Sequence, residues 1–209
     1  MLTDNMWKNK TFSELTTDEL YDLLKLRIDI FVVEQTCFYP DLDNHDRHPL
    51  TQHLFCYQKG VMTAYLRILP KGLTYTDYIS IGRVVIAPCA RGTGLGHELM
   101  RVALALCLTD FPNDTVKISA QEHLEKYYNQ HGFERVSDMY LEDDIPHIAM
   151  LKIRSIDKTN STRNVTSTPI WRGFELPIVL LKPIACDKRA SNNAPPNICN
   201  IKADAPFTS

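Results

Sequence analysis

Two long stretches of the chain place apolar residues on one side of a helix. In the first, Thr16 and Glu19 have the spacing of a capping box, and apolar residues recur every three or four positions as far as Val33. In the second, between Gly94 and Leu108, apolar residues recur at the same spacing. We expect an amphipathic helix in each stretch.

Shorter runs of branched and aromatic residues predict strands around the second helix. Residues 54–57 and 61–69 are separated by Lys59 and Gly60, which is typical of an antiparallel hairpin. A third strand is expected at 78–86, directly before the second helix. These three strands follow one another without an intervening helix, so they favour antiparallel pairing.

Between residues 116 and 153 the apolar pattern predicts three further strands and one helix. A short buried strand is expected at 116–120, a helix at 124–130 that ends at Gly132, and strands at 133–140 and 147–153. This order of elements predicts an α+β fold, a mixed α/β layer rather than a regular alternation.

Composition divides the chain in two. Residues 1–154 hold 16 basic and 21 acidic side chains (net −5), whereas 155–209 hold 7 and 4 (net +3) and are rich in Pro, Asn, Ser and Thr. We expect one folded domain at 5–153 and a largely disordered extension at 154–209, with a single apolar stretch at 171–184. The overall net charge of −2 argues against a general nucleic-acid binder.

Cysteine, histidine and apolar patterns favour a cytoplasmic protein without a structural metal. The six cysteines are widely spread and form no C-x-x-C pair, and no apolar run approaches the roughly 18 residues that span a membrane. The segment from His45 to His53 holds three histidines, but their spacing fits no standard zinc pattern. We therefore expect reduced thiols, no metal and no membrane partner.

The richest chemical signal is a glycine cluster between the third strand and the second helix. It reads Arg91-Gly92-Thr93-Gly94-Leu95-Gly96. Glycines let the backbone approach a ligand closely, and the first N–H groups of a helix favour an anion. We expect a phosphate or pyrophosphate here, with Arg91 as a fixed cation. The segment has neither the lysine of a Walker loop nor the G-x-G-x-x-G of a dinucleotide fold.

The spacing Arg91-x-x-Gly94-x-Gly96 resembles the pyrophosphate loop of the GCN5-related N-acetyltransferases (GNAT). Further stretches at 27–37, 120–124 and 142–147 resemble the ElaA-like subfamily, although Asp144 stands where that subfamily is expected to have glycine. The resemblance covers residues 5–153. It implies a central, mostly antiparallel twisted sheet flanked by helices, with acetyl-CoA as co-substrate.

The resemblance also implies roles for individual residues. The strand residues Val84, Val85 and Ile86 would align the pantetheine arm, the loop from Arg91 to Gly96 would hold the pyrophosphate, and Gln121 would contact the cofactor. The segment from Tyr127 to Phe133 resembles the family's Tyr-x-x-x-Gly-Phe signature, and this places Tyr128 as the general acid. A tyrosine is protonated at neutral pH and can therefore donate to a leaving thiolate.

A group that takes a proton from the attacking amine is harder to assign. Glu34 and His147 are the catalytic candidates that we carry forward, and Glu142 and Asp143 are further possibilities. Together with Asp41, Asp43 and Asp46, these acids predict an acidic acceptor side suited to a cationic amine.

The sequence as a whole predicts an N-acetyltransferase that moves an acetyl group from acetyl-CoA directly to a primary amine. The acceptor would be a small molecule or a peptide, and no acceptor motif narrows this choice. The alternative is a non-catalytic acyl-CoA sensor of the same fold. Either protein would be a monomer or a homodimer.

Overall fold

A single eight-stranded sheet organises the part of the chain that the computed structural model describes, residues 5–152. The strands lie in the order β1–β2–β3–β4–β5–β8–β6, with β7 also paired to β8. Their bounds are β1 (Met6–Lys10), β2 (Gln52–Gln58), β3 (Val61–Leu69), β4 (Ile79–Ile86), β5 (Val116–Gln121), β6 (Phe133–Arg135), β7 (Tyr140–Glu142) and β8 (Ile145–Lys152). Every neighbouring pair is antiparallel except β4 and β5. This confirms the predicted fold class.

Within residues 5–152, three α-helices flank the sheet: α1 (Thr17–Arg27), α2 (Leu95–Asp110) and α3 (Glu125–Gln130). The capping box at α1 is present, because Glu19 N–H donates to Thr16 Oγ1 and Glu19 Oε2 accepts from the Thr16 N–H. The α-helix is shorter than predicted, since the chain continues as a π-helix over Ile28–Glu34.

One predicted strand needs correction, and one observed strand has no signal in the apolar pattern. The expected strand at 133–140 is broken between β6 and β7, because the Ser137 hydroxyl accepts from the Ala149 N–H and so takes a backbone position in the ladder. Strand β1 was not predicted. It is an edge strand without a clear apolar alternation, and its Lys8 and Lys10 form ion pairs with Glu19.

The two faces of the sheet bury separate cores. Leu95, Leu99 and Ala103 of α2 pack with residues such as Leu66 and Ile68 of β3 on one face. On the other face, residues of α1 and the following π-helix pack against β2, β3 and β4: Leu23, Leu26, Ile30, Phe55, Tyr65 and Val85. Successive strand residues point to opposite faces, so the sheet separates the two cores.

The sheet opens between β4 and β5. The two strands pair only at Ile79–Val116 and Ser80–Lys117, after which they diverge. Opposite the divergence, β4 carries a bulge in its pairing with β3, where Arg83 has a φ of 55°. The divergence leaves one edge of β4 unpaired with β5, and a cleft forms there.

The predicted extension at 154–209, with its apolar stretch at 171–184, lies outside the described residues. Within 5–152, no helix has both the length and the apolar character required to cross a membrane. The four cysteines of this part, Cys37, Cys56, Cys89 and Cys107, are free thiols.

Candidate active site

A cleft of about 270 Å³ lies where β4 and β5 diverge. Its walls combine the π-helix and the following loop, strands β3, β4 and β5, helix α3 and the β7–β8 hairpin. Among its lining residues are Phe31, Cys37, Arg67, Arg83, Val84, Ser119, Gln121, Tyr128, Glu142, Asp143 and His147. The cleft thus brings together the predicted residues Val84, Gln121, Tyr128 and His147.

The glycine loop lies at the start of α2, as predicted. Gly92 and Gly94 have φ values of 74° and 87°, which glycine adopts without strain. Thr93 Oγ1 donates to Ala90 O at 2.7 Å and fixes the loop. Since α2 has 16 residues, its first N–H groups and its dipole together favour an anion beside this loop.

Gly96 has a packing role inside the first turn of α2. A Cβ at this position would lie 3.6 Å from Ile86 Cγ1 and 3.8 Å from Tyr127 Oη. The Tyr127 hydroxyl donates to Gly96 O at 2.7 Å, which joins α3 to α2. Ile86 therefore contacts the helix, while Val85 is buried in the core beneath α1. Of the three predicted strand residues, only Val84 lines the cleft.

Arg91 and Glu34 form an ion pair beside the glycine loop. Arg91 Nη1 lies 2.9 Å from Glu34 Oε1, and Arg91 Nε donates to Ile86 O at 3.2 Å. Both side chains are more than 40% exposed. Glu34 does not line the cleft, so the structure separates it from Tyr128 and His147.

Tyr128 is the buried tyrosine of the cleft. Only 7% of it is exposed, and its ring packs edge-on against Phe133 at 5.8 Å. Burial raises the pKa of its hydroxyl, and the neighbouring Tyr127 raises it further. The hydroxyl therefore stays protonated at neutral pH and can donate. Its neighbour Tyr127 donates its hydroxyl to Gly96 O and does not line the cleft, so the two adjacent side chains have different surroundings.

His147 has a defined proton arrangement when its ring is neutral. Its Nδ1 lies 2.8 Å from Ile145 O. A carbonyl oxygen can only accept, so Nδ1 carries the hydrogen and Nε2 keeps its lone pair. The ring stacks on Tyr140 with a centroid distance of 6.3 Å. His147 can thus accept a proton from a group bound in the cleft.

A polar strip runs beside His147 on the same face of β5, β7 and β8. The Ser119 hydroxyl lies 2.6 Å from the Tyr140 hydroxyl and also contacts the Glu142 carboxylate. The sequence reasoning missed Ser119 and Tyr140. The alternation of apolar and polar residues from Val116 to Gln121 is the sequence signal, because it turns Ser119 and Gln121 away from the core.

The predicted acidic acceptor side is wrong for three of its members. Three arginines, Arg27, Arg67 and Arg83, bind the aspartates at positions 41, 43 and 46 at distances of 2.7 to 3.0 Å. None of these aspartates lines the cleft. Their charge is neutralised inside the fold, so it cannot attract an amine from solvent. The described residues also hold no group of three or more side chains suited to a metal ion.

Comparison with known proteins identifies the family. The model of the acetyltransferase (GNAT) domain matches residues 37–154. The chain is 38% identical to the protein ElaA of Escherichia coli over 146 residues, which are 70% of this chain and 95% of ElaA. It is 40% identical to a UPF0039 protein of Schizosaccharomyces pombe over 143 residues, 68% of this chain and 92% of that relative.

Solved structures show the same likeness in three dimensions. The crystal structure of an acyl-CoA N-acyltransferase from Pseudomonas aeruginosa matches with a TM-score of 0.68 and 44% identity, covering 72% of this chain and all of that one. Escherichia coli ElaA matches with a TM-score of 0.68 and 36% identity, covering 71% and 99%. The fold, the loop and these relatives agree with the motifs in the sequence, and the chain belongs to the GNAT acetyltransferase family of acyl-transfer enzymes.

Proposed function

We propose that the protein is an N-acetyltransferase that moves an acetyl group from acetyl-CoA directly to a primary amine. The observation that carries the proposal is the cleft itself, because the protonated Tyr128 and the free Nε2 of His147 line the same opening between β4 and β5. A proton donor and a proton acceptor are what this reaction requires.

The proposed path of the cofactor begins at the glycine loop, outside the residues that line the cleft, and ends inside the cleft. The pyrophosphate would bind the backbone N–H groups at Gly92, Gly94 and the start of α2, with Arg91 beside it. Glu34 forms an ion pair with Arg91 in this structure, so a bound phosphate would displace the Glu34 carboxylate from the Arg91 guanidinium. The pantetheine arm would follow the free edge of β4 past Val84, with Gln121 facing it from β5.

The chemistry divides between the two sides of the cleft. Acetyl-CoA supplies an activated thioester. His147 Nε2 accepts the proton that an ammonium group must lose before it can attack the carbonyl carbon. Backbone N–H groups at the bulge beside Val84 and Val85 stabilise the charge that develops on the carbonyl oxygen. Tyr128 then donates its proton to the departing sulfur, and the second proton that the attacking nitrogen loses returns through water to the phenolate.

Free-thiol release from acetyl-CoA in the presence of a panel of amines tests this proposal. Tyr128→Phe should lower kcat by about 100-fold or more, with the KM for acetyl-CoA changed little, because general acid catalysis typically contributes factors of this size. Tyr127→Phe is the matched control, since it removes a hydroxyl that bonds to Gly96 and not one that lines the cleft. We expect its kcat to stay within a few-fold of wild type.

Two outcomes would contradict the proposal. An unchanged kcat in Tyr128→Phe would remove the assigned acid. Thermal stabilisation by coenzyme A without turnover of any amine would favour the acyl-CoA sensor instead.

A further inference from the structure

Within residues 5–152, the cleft has arginine side chains on one wall and unpaired carboxylates on the other. Arg67 of β3 and Arg83 of β4 line one wall, and Glu142 and Asp143 of the β7–β8 hairpin line the other. The aspartates that pair with the two arginines are not among the cleft residues and balance their charge. A ligand in the cleft therefore meets guanidinium groups that are already ion-paired on one side and unpaired carboxylates on the other.

Arg83 keeps part of its guanidinium available. Its Nε donates to Asp41 Oδ1 at 2.7 Å and its Nη2 to Asp41 O at 3.3 Å, while the group packs over the Tyr39 ring at 4.9 Å. Nη1 makes no hydrogen bond to any residue that the structure describes, and 21% of the side chain is exposed. Arg83 is thus held in a fixed position with a free donor pair.

Arg67 also lines the cleft, but its unsatisfied donor is buried. Its side chain is only 3% exposed, and its Nη1 donates to Asp43 and Asp46 at 2.8 Å. Its Nε is buried and has no partner within residues 5–152. A buried N–H without an acceptor is costly and rare in folded proteins. Arg67 therefore supports the wall through its ion pairs with Asp43 and Asp46, not through a donor that is open to the cleft.

The thiol of Cys37 lies under the influence of both walls. Burial raises the pKa of this thiol, Asp143 raises it further and Arg83 lowers it. The two opposite charges therefore act on one point of the cleft rather than on two distant surfaces.

We propose that the acceptor is an amino acid or a small derivative that keeps a free carboxylate. The carboxylate would bind Arg83 Nη1, with Arg67 behind it, and the amine would face His147 Nε2 and Glu142. An arginine with free planar donors is suited to a carboxylate. This inference rests on the proposed N-acetyltransferase activity and narrows its acceptor class.

Matched pairs of amines test the inference on the full chain. Each pair has one amino acid and the amine that lacks its carboxylate: alanine and ethylamine, lysine and cadaverine, phenylalanine and phenethylamine. We expect at least one pair in which kcat/KM is tenfold or more higher for the amino acid. Phenylalaninamide, which keeps the amine but is uncharged at the carbonyl, should behave as phenethylamine does.

The variant Arg83→Gln separates binding from structure. It should lower kcat/KM for the preferred amino acid at least tenfold and leave the matched amine within about threefold. A distorted bulge would lower kcat/KM for both substrates together, so the matched amine is the internal control. Equal losses for both, or no carboxylate preference in any pair, would overturn the inference while leaving the acetyltransferase proposal intact.

A measurement on the wild type keeps the test decisive if the variant fails to fold. N-acetylphenylalanine should raise the melting temperature more than N-acetylphenethylamine at the same concentration. A greater shift with the uncharged product would overturn the inference. Absence of turnover with every amine, in contrast, would contradict the acetyltransferase proposal itself.

Discussion

Two acidic segments that look alike in sequence have different roles in the structure. The loop from Asp41 to Asp46 and the turn from Glu142 to Asp144 each hold three carboxylates within a few residues. All three carboxylates of the loop bind arginines, and one of these, Arg27, is completely buried. The carboxylates of the turn form no ion pair with any described residue, and two of them line the cleft.

The difference shows that a count of charges does not locate an electrostatic surface. The loop supplies three negative charges and Arg27, Arg67 and Arg83 supply three positive ones, so the network is neutral as a whole. A buried carboxylate with its counter-charge in place holds the fold together, whereas an exposed and unpaired one can act on a ligand. The acceptor side of the cleft is therefore acidic only at the hairpin.

Among variants of the two acidic segments and their partners, removal of Arg27 should cause the largest loss in the free energy of unfolding. Arg27→Met keeps much of the side-chain volume but removes one of the two arginines that bind Asp41 and one of the two that bind Asp46. Breaking a buried pair in this way costs about 3–5 kcal/mol. Urea denaturation of wild type and variant measures the loss in the free energy of unfolding.

Asp143→Asn is the matched control in the other acidic segment. Because this side chain is exposed, the variant should stay within about 0.5 kcal/mol of wild type. A loss below about 1 kcal/mol in Arg27→Met would show that the loop does not depend on the buried arginine.

Acid should weaken the loop through Asp43. Burial alone would raise the pKa of this carboxyl, but the hydrogen bond and charge of Arg67 outweigh it and lower the pKa to about 2. A lowered pKa in the folded state stabilises the protein above the unfolded value of 3.8, and this contribution is lost as the pH falls toward 2. Denaturation of Asp43→Asn should change less between pH 5 and pH 2 than that of wild type. An equal slope for both proteins would contradict this assignment.

Sequence reasoning predicted the fold and the glycine turn at the start of α2 better than the charged residues around the cleft. The period of apolar residues and the glycines at 92, 94 and 96 are local signals, and local signals specify a helix, its cap and an anion site. The pairing of Glu34 with Arg91 and of Asp41 with Arg27 joins residues 57 and 14 positions apart. Such pairing follows from tertiary packing, which a periodic pattern does not encode.

A substitution in the turn from Glu142 to Asp144 should change the KM for the acceptor amine more than it changes the stability of the fold. Asp143→Asn removes one charge from the cleft mouth and should raise the KM for a cationic amine such as cadaverine by about two- to fivefold, since exposed charge interactions contribute up to about 1 kcal/mol. Glu34→Gln should leave this KM unchanged, because Glu34 faces Arg91. Steady-state kinetics at 50 and 500 mM salt would show the effect only at low salt. If Glu34→Gln changed this KM more than Asp143→Asn does, Glu34 and not Asp143 would supply the negative charge that binds the amine.

The smallest expected effect concerns the geometry of the turn. Asp143 and Asp144 connect β7 to β8 and have φ values of 50° and 62°, as in the two-residue hairpin turns that favour glycine at the second position. Asp144→Gly removes the strain of a positive φ and one of three adjacent negative charges, so it should stabilise the protein by about 0.5–1 kcal/mol. Asp138→Gly is the control, since Asp138 is exposed and its φ is not positive, and glycine there only adds freedom to the unfolded chain. Thermal melts should move in opposite directions for the two variants. If both lowered the melting temperature, the turn would hold Asp144 by an interaction stronger than its backbone strain, and the acidic hairpin would share a structural role with the loop.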